Sequence, residues 1–391
     1  MSEAYLAPAA REHPLNVETL LGRARARAML EDFGDPAFRV ALDRFVEAIN
    51  TESLLNADAL AQQEADIVSS LMTRLRIRDY FRRHPEIEGE EIRAPVIIVG
   101  AQRTGTSKLF RVMASDLQWN VLYTWEALNP VPFSDPPATP DPRIAEAETW
   151  AERLRQQGMD QAHAVDALAP EMEHLLLAKS FTAPSPLLIL PEFQAWCEQA
   201  DYRPTYDFLH DQLKFLQWQK RGGGKRWMLK TPFHLHNLGV LMETFPDATL
   251  VMTHRDPAAV LPSNASLIAF LRRNTGPCDP KKLGAEQVTT WGRAVQRALG
   301  YRESGACAGQ FFDFQHADFK RDPLEMVEAI YEYFDMPLSD EARRRMRAFM
   351  AKNPQEAFSK HIYTAEQFGV DAKTLRREFA DYIETFNIPT A

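Results

Sequence analysis

Three basic side chains follow three separate apolar stretches of this sequence, and their positions predict a site for an anionic ligand. Arg103, Lys230 and Arg255 each come shortly after a run of apolar residues. If those runs are parallel strands, their carboxyl ends lie at one edge of a sheet, where α/β proteins bind ligands. Clustered cations in a cleft concentrate their field on anionic groups. The spacing therefore predicts a cationic pocket in a chain whose net charge is −9.

The first apolar run leads into a loop that contains two glycines. Residues 100–107, GAQRTGTS, keep the glycine spacing of the phosphate loop G-x-x-x-x-G-K-[ST], but Thr106 stands where the lysine is expected. Main-chain N–H groups at a helix N-terminus bind phosphate without that lysine, and Arg103 can supply positive charge. The loop predicts a site for the anionic 5′ end of a nucleotide, with no clear provision for a triphosphate and magnesium. A turn whose glycines serve only packing is the alternative.

A serine and a carboxylate extend the candidate site. Ser263 lies about two helical turns after Arg255 if Pro257 begins a helix, so its hydroxyl can donate to a group that Arg255 also binds. Glu126 is flanked by apolar residues. Carboxyl groups in such surroundings have raised pKa values, which suit a general base. Two alternatives stay open: Glu126 faces water at a helix end, and Asp256 holds Arg255 in a structural ion pair.

The elements that must position these residues alternate between strand and helix. Residues 225–267 read strand, helix, strand, helix, and residues 310–314 predict a further strand, as in a parallel sheet. The predicted fold class is α/β, with a P-loop-type parallel sheet flanked by helices, an N-terminal helical cap and helical insertions. The expected domains are a helical cap (1–90), a P-loop-like domain (91–340) with a helical insertion at about 144–220, and a C-terminal helical tail (341–391) packed on the same domain.

Two segments between these elements have distinctive compositions. Prolines at 130, 132, 136, 137, 140 and 142 predict that residues 119–143 form an extended surface loop. Residues 170–220 are rich in large apolar side chains, which could line an acceptor pocket or form the core of the insertion.

Composition argues against several classes of protein. With 45% hydrophobic and 25% charged residues, the 391-residue chain has the composition of an ordinary globular protein. Its acidic balance argues against a general nucleic-acid binder. No apolar run approaches the ~18 residues that a membrane span requires, and no leader signature is recognisable at the start, so we expect a cytoplasmic location. The three cysteines are widely spaced and no ligand set surrounds His234 and His236, so no metal is expected.

Two longer motifs carry a family resemblance. The stretch PVIIVGAQRTGTSKL and the stretch FPDATLVMTHRDPAAVLPSNAS, which runs from Phe245 to Ser266, resemble the 5′-phosphosulfate loop and the 3′-phosphate motif of one enzyme family. These are the sulfotransferases that use 3′-phosphoadenosine 5′-phosphosulfate (PAPS), in particular the bacterial branch related to tyrosylprotein sulfotransferases. The stretch KTPF at 230–233 is similar to the family's lysine-containing strand end, and residues 311–338 resemble its late strand and helix. The resemblance covers about residues 93–340.

The resemblance implies a role for each matching residue. It implies that the 5′-phosphosulfate is held by Arg103, Thr104, Gly105, Thr106 and Ser107. It also implies that Arg255 and Ser263 hold the 3′-phosphate, and that Lys230 neutralises charge on the leaving phosphate or the moving sulfuryl group. Lys230 and Arg103 are accordingly expected to be catalytic.

The resemblance leaves the base and the adenine site less well defined. In the tyrosylprotein branch a glutamate after the loop helix is the base, and Glu126 is the best match. The cytosolic aryl and steroid enzymes use a histidine, for which His174 and His234 are weaker candidates. The glycine-rich basic motif of the cytosolic enzymes is absent, so Tyr363 and Phe368 are guesses for the adenine site.

The predicted function is in-line transfer of the sulfuryl group from PAPS to a hydroxyl of a small or lipid-like acceptor. The product nucleotide is 3′-phosphoadenosine 5′-phosphate (PAP), and the expected partners include neither nucleic acid nor a metal. A P-loop kinase of a small molecule is the runner-up, although its loop lysine is missing. A non-catalytic nucleotide-binding protein is the third reading. The identity of the acceptor and the oligomeric state stay open.

Overall fold

One parallel sheet organises the fold. The computed structural model describes residues 14–156, 166–183, 188–221, 225–273, 278–353 and 364–390. Within them the sheet has the strand order β2-β3-β1-β4-β5. The strands are β1 (Val96–Val99), β2 (Asn120–Val121), β3 (Trp227–Lys230), β4 (Thr249–His254) and β5 (Phe311–Gln315). Each paired neighbour is parallel, so the carboxyl ends of all the strands share one edge, as predicted.

The helices have the following bounds along the chain: α1 (Val17–Ala28), α2 (Phe38–Thr51), α3 (Ala57–Arg83), α4 (Thr106–Met113), α5 (Thr124–Leu128), α6 (Pro142–Gln156), α7 (His174–Leu177), α8 (Pro191–Cys197), α9 (Arg203–Lys220), α10 (Leu238–Thr244), α11 (Pro257–Arg272), α12 (Pro280–Glu303), α13 (His316–Arg321), α14 (Pro323–Tyr333), α15 (Asp340–Lys352), α16 (Ala372–Glu378) and α17 (Ala380–Thr385). None of these described helices is long and apolar enough to cross a membrane.

Strand β1 lies at the centre of the sheet because its side chains are apolar on both faces. Ile97 and Val99 pack into one core, which α9, α10 and α12 cover, whereas Val96 and Ile98 pack into a second core under α4 and α14. Alternate residues of a strand point to opposite faces, so a fully apolar run is required where helices cover both. The predicted α/β class, with a parallel sheet flanked by helices, is confirmed.

The helices outside the sheet region pack against one another and against the sheet region, and the division into three parts stays a prediction. The core of α1, α2 and α3 also includes Phe181 and Phe193 from the insertion. Leu375 and Tyr382 from α16 and α17 belong to the same core as Ile97 of β1. The tail therefore packs directly against the sheet domain.

The segment 119–143 is more regular than its prolines predict. Asn120–Val121 forms the edge strand β2, and Thr124–Leu128 forms the short helix α5. The extended stretch begins only after α5, where the prolines lie. Pro142 begins α6, a position at which the missing N–H of proline costs no hydrogen bond. The prediction of one continuous loop was wrong because the prolines act only on the second half of the segment.

Candidate active site

The loop between β1 and α4 has a backbone conformation that residues other than glycine rarely adopt. Gly100 and Gly105 have φ values of 141° and 93°. A Cβ at Gly100 would lie 2.6 Å from the Thr253 hydroxyl oxygen, and one at Gly105 would lie 2.7 Å from Nδ1 of His316. Both positions therefore require glycine, because Thr253 of β4 and His316 at the start of α13 lie directly behind the loop. The two glycines do serve packing, and the same close packing gives the loop the shape that an anion site requires.

Two side chains behind the loop fix its shape. The Thr104 hydroxyl is turned inward, where it contacts Ala101 O at 2.6 Å and the Thr253 hydroxyl at 2.6 Å. His316, directly after β5, donates from Nδ1 to Thr104 O at 3.0 Å. Burial lowers the pKa of His316 to about 4, so the ring is neutral near pH 7. Thr104 thus supports the loop from below, and only its main chain can face a ligand.

The far end of the loop opens helix α4 without a side-chain cap. Gly105 is the N-cap residue and, having no side chain, gives no cap to the first N–H groups of the helix. Thr106 is buried at the first helical position, and Ser107 is half-buried beside it. The uncapped N–H groups and the helix dipole favour an anion at this end.

The structure brings together three residues that the sequence predicts to bind anions. Arg103 donates from Nε to the Ser263 hydroxyl at 3.1 Å, and Arg255 donates from Nη1 to Arg103 O at 2.7 Å. Helix α11 begins at Pro257, as predicted, which places Ser263 on the turn that faces the loop. Two guanidinium groups and a hydroxyl therefore lie at the carboxyl edge of β1 and β4.

Both oxygens of Asp256 have partners other than Arg255, the ion-pair partner that the sequence leaves open. One of its oxygens accepts from Ala258 N at 2.9 Å and caps α11, and the other accepts from Arg376 at 2.7 Å and 3.1 Å. Arg376 lies on α16, far away in sequence. The C-terminal tail thus supports the start of α11.

Lys230 lies at the end of β3, next to the loop. Its side chain is 3% exposed, and Nζ donates to the Ser107 hydroxyl at 3.2 Å. Burial lowers the pKa of the Lys230 ammonium group below its ordinary value, and the charges of Glu171 and Glu173 oppose that shift. A buried ammonium group whose bound partner is a neutral hydroxyl is well placed to receive an anion.

A buried network that the sequence did not reveal fixes the main chain of Lys230. Glu173 accepts from Lys230 N at 2.9 Å and contacts His234 Nε2 at 2.6 Å, and His234 Nδ1 contacts the Tyr206 hydroxyl at 2.8 Å. Burial alone would raise the pKa of Glu173, but its bonds to His234 and Lys230 keep that pKa below the usual value. Glu173 opens α7, His234 follows β3 and Tyr206 lies on α9, so only the tertiary fold brings them together.

Glu126 lies in α5 and is held by a lysine from another helix. Lys220 Nζ lies 2.5 Å from its Oε1 and 2.6 Å from its Oε2, and Oε2 also accepts from Tyr123 N at 2.9 Å. The carboxylate is therefore held within the start of α5 by a lysine from α9. The local sequence indicates apolar surroundings for this carboxylate. It does not reveal the cation beside it, because Lys220 is 94 residues away along the chain.

The two histidines considered as alternative bases have different surroundings. His234 is completely buried, and both its ring nitrogens are used in the network with Glu173 and Tyr206. His174 borders the cavity described below, but its Nε2 is enclosed by protein and makes no hydrogen bond within the described residues. Burial lowers the pKa of His174 to about 4.

A cavity of about 1100 Å³ reaches the loop at Gln102. Gln102, Met172 and Thr231 line its inner end, next to Lys230. Its outer walls come from α3, α6, α8, α11 and α12, so the helical cap and the insertion enclose it. Ligand cavities typically measure about 300–1,000 Å³, so this one can hold a large molecule.

Of the two residues suggested for the adenine site, only Phe368 lies within the described residues. Phe368 is buried against Gly284 of α12 and packs into a small apolar core with Ile268. Tyr363 lies outside the described residues.

Comparison with known proteins agrees with this geometry. The family model described as "Sulfotransferase family" matches residues 95–340, which include all five strands and every loop residue above. The chain belongs to the sulfotransferase family.

Solved and curated relatives share the fold over most of their length. Sulfotransferase STF1 from Mycobacterium tuberculosis H37Rv superposes with a TM-score of 0.81 at 27% identity and covers 95% of this chain and 100% of its own. Sulfotransferase STF9 from Mycobacterium avium gives a TM-score of 0.85 at 25% identity, covering 97% and 99%. The omega-hydroxy-beta-dihydromenaquinone-9 sulfotransferase Stf3 of Mycobacterium bovis is 23% identical over 286 residues, which are 70% of this chain and 71% of that protein. The predicted membership of a bacterial sulfotransferase family is confirmed.

Proposed function

We propose that this protein transfers the sulfuryl group of PAPS to a hydroxyl of a neutral, lipid-like acceptor. The observation that carries the proposal is the contact between Lys230 Nζ and the Ser107 hydroxyl at 3.2 Å. It joins a buried cation to the N-terminus of α4, where an anion is favoured, and the cavity reaches the loop at Gln102 and the end of β3 at Thr231. Donor and acceptor can therefore approach each other at Lys230.

The donor fits the loop side of this junction. The first N–H groups of α4, Ser107 and Lys230 would hold the 5′-phosphosulfate, and Arg255 with Ser263 would hold the 3′-phosphate. Arg103 belongs to the loop that would hold the 5′-phosphosulfate, and it contacts Ser263 through Nε and Arg255 through its carbonyl oxygen, so it links the two sets of residues. Two cationic centres on one edge of the sheet suit a ligand with two separate anionic groups.

The residues act on the reaction mainly through charge and position. The acceptor oxygen forms a bond to sulfur while the bond from sulfur to the bridging phosphate oxygen breaks, and its electron pair remains on PAP. Lys230 stabilises the negative charge that develops on the bridging oxygen, and the N–H groups of α4 stabilise the sulfuryl oxygens. Buried donors that already point at these atoms need no reorganisation as the charge develops.

The cavity favours a neutral acceptor. Its charged lining residues balance formally, with Asp66, Glu146, Glu171, Glu198 and Glu286 against Arg153, Arg272, Arg273, Arg293 and Arg297. Several are paired with each other: Arg272 binds Glu286 at 2.8 Å, and Arg293 binds Glu198. Trp150, Leu175, Phe233, Ile268 and Trp291 contribute apolar surface. A large lining without net charge suits an apolar alcohol, and the acceptor that the name of Stf3 states, a hydroxylated menaquinone, is a lipid.

A binding and transfer experiment tests the proposal. Purified protein is incubated with sulfur-35-labelled PAPS and a set of alcohols that includes geranylgeraniol, a sterol and a phenol, and labelled products are separated by chromatography. We expect label on a neutral apolar alcohol and stabilisation of the protein by PAP without magnesium. Stabilisation by ATP with magnesium instead, with no sulfated product, would favour the kinase.

A further inference from the structure

The transfer needs a base on the acceptor side of Lys230, and Glu126 is not among the described residues that line the cavity. Both oxygens of Glu126 contact Lys220. The base must border the cavity, lie close to Lys230 and be held firmly, because proton transfer requires contact within about 3 Å. Among the described residues that line the cavity, Glu171 and His174 are titratable groups that interact electrostatically with Lys230.

Main-chain hydrogen bonds place Glu171 beside the end of β3. Glu171 N donates to Leu122 O at 2.8 Å, and Tyr123 forms an antiparallel bridge with Pro170. Leu122 directly follows β2, and β2 pairs with β3 in parallel. The carboxyl ends of these two strands are neighbours, so the chain at Glu171 lies next to Lys230 at the same sheet edge.

The side chains around Glu171 join the cavity to the donor site. Glu171 and Met172 both line the cavity, and Met172 Sδ lies 4.0 Å from Lys230 Nζ. Glu171 is 7% exposed, and its Oε1 accepts from Met172 N at 2.8 Å. Of the two carboxylates whose negative charge acts on Lys230, Glu171 has the larger effect. The other, Glu173, is fully buried and engaged with His234.

We infer that Glu171 is the general base that takes the proton of the acceptor hydroxyl. This inference rests on the proposed function. As the acceptor oxygen bonds to sulfur, its proton passes to the Glu171 carboxylate, and the electron pair of the breaking sulfur–oxygen bond stays on the phosphate oxygen beside Lys230. The carboxylic acid formed then loses its proton to solvent through the cavity. The step needs no other reactant.

His174 is less suited to this role. Its Nε2 is enclosed by protein, so an acceptor hydroxyl cannot reach that atom without rearrangement. The charged and titratable groups that face this region are Lys230 on β3, with Arg111 beyond it, and Glu173, His174 and His234 around α7. Lys230 favours a negative charge on Glu171 and disfavours a positive charge on His174.

Glutamine and alanine variants at position 171 test the inference. We expect Glu171→Gln to lower kcat about 10²-fold or more with geranylgeraniol, to leave the Kd of PAP within threefold, and to abolish the acidic limb of the pH–rate profile. Formate added to Glu171→Ala should restore part of the rate, because the open cavity admits a small carboxylate. Donor hydrolysis without acceptor, in which water takes the place of the alcohol, should slow in parallel and gives a readout that needs no acceptor.

A matched control separates base loss from general damage. Glu52→Gln makes the same substitution in the helical cap, where the carboxylate also accepts from main-chain N–H groups, those of Glu192 and Phe193. It should keep kcat and the acidic limb. Full activity with an unchanged acidic limb in Glu171→Gln would overturn the inference, as would loss of that limb in Glu126→Gln or His174→Gln with Glu171→Gln unaffected. Failure of the proposed function looks different: the unaltered protein would neither bind PAP nor release sulfate from PAPS.

Discussion

Replacement of Lys230 by methionine removes one charge from the site while preserving the volume of the side chain. Lys230 is 3% exposed, and within the described residues its Nζ contacts the Ser107 hydroxyl and Met172 Sδ. No carboxylate is hydrogen-bonded to Nζ in this set, so no carboxylate loses a hydrogen bond in the substitution. Removal of one preorganised donor from a developing oxyanion costs about 10²–10³ in turnover, or roughly 3–4 kcal/mol. We therefore expect Lys230→Met to lower kcat by that factor while the protein stays folded.

The assay combines turnover with binding. Initial rates of label transfer from PAPS give kcat, and calorimetric titration with PAP gives Kd, which we expect to weaken by about 10- to 100-fold because one charged hydrogen bond is lost. Lys220→Met is the matched control. It removes a lysine that contacts Glu126 rather than the loop, and leaves that carboxylate buried without its cation. Its expected effect is a loss of about 3 kcal/mol in unfolding free energy, with kcat reduced less than tenfold.

Two results would refute the reasoning. If Lys230→Met kept kcat within tenfold of the unaltered protein, the charge at the end of β3 would have no role in the transfer. If Lys220→Met lowered kcat as strongly as Lys230→Met at a temperature where both are folded, the effect would reflect general disruption.

Three further predictions follow from the site. Arg255→Ala should weaken PAP at least tenfold but leave adenosine 5′-phosphate nearly unaffected, and equal losses for both nucleotides in calorimetry would contradict a 3′-phosphate role. Glu173→Gln removes a negative charge that raises the pKa of Lys230. The alkaline limb of the pH–rate profile, where the ammonium group loses its proton, should therefore move to lower pH. An unmoved limb would assign that limb to another group. Gly105→Ala places a Cβ 2.7 Å from His316 at a φ of 93° and should destabilise the protein by about 1–3 kcal/mol in thermal or denaturant unfolding.

A second glycine provides the control for the last prediction. Gly22 lies within α1, and a Cβ there would meet nothing within 4 Å. Gly22→Ala should therefore stabilise the protein by about 0.5–1 kcal/mol. A loss of stability in both variants would show that the strain at Gly105 is not the cause.

The sequence predicts the sheet and the positions of the three basic residues well, because both depend on local patterns. Runs such as Val96–Val99 are apolar on every residue, and the loop residues follow a spacing that the backbone of a strand-to-helix turn imposes. Strand ends that carry Arg103, Lys230 and Arg255 meet at one edge by the rules of parallel sheets. The two-residue strand β2 has no such pattern and was missed.

The acid–base residues could not be assigned in the same way, because their surroundings come from distant parts of the chain. Lys220 reaches Glu126 from the end of α9, and Leu122 holds the main chain of Glu171 through a hydrogen bond that no spacing rule encodes. The sequence predicts a carboxylate base near the end of β2, and that role stays a prediction. Which carboxylate faces the cavity depends on the path of the insertion between α6 and α7.

The most direct test of the central claim is calorimetric titration of the protein with PAP and with adenosine 5′-phosphate in the absence of magnesium. The structure places Arg255 and Ser263 beside Arg103, and Lys230 beside Ser107, so two anionic groups should be bound at once. We predict one PAP per chain, bound at least tenfold more tightly than the nucleotide that lacks the 3′-phosphate. Equal affinities for the two nucleotides, or tighter binding of ATP with magnesium, would contradict the account.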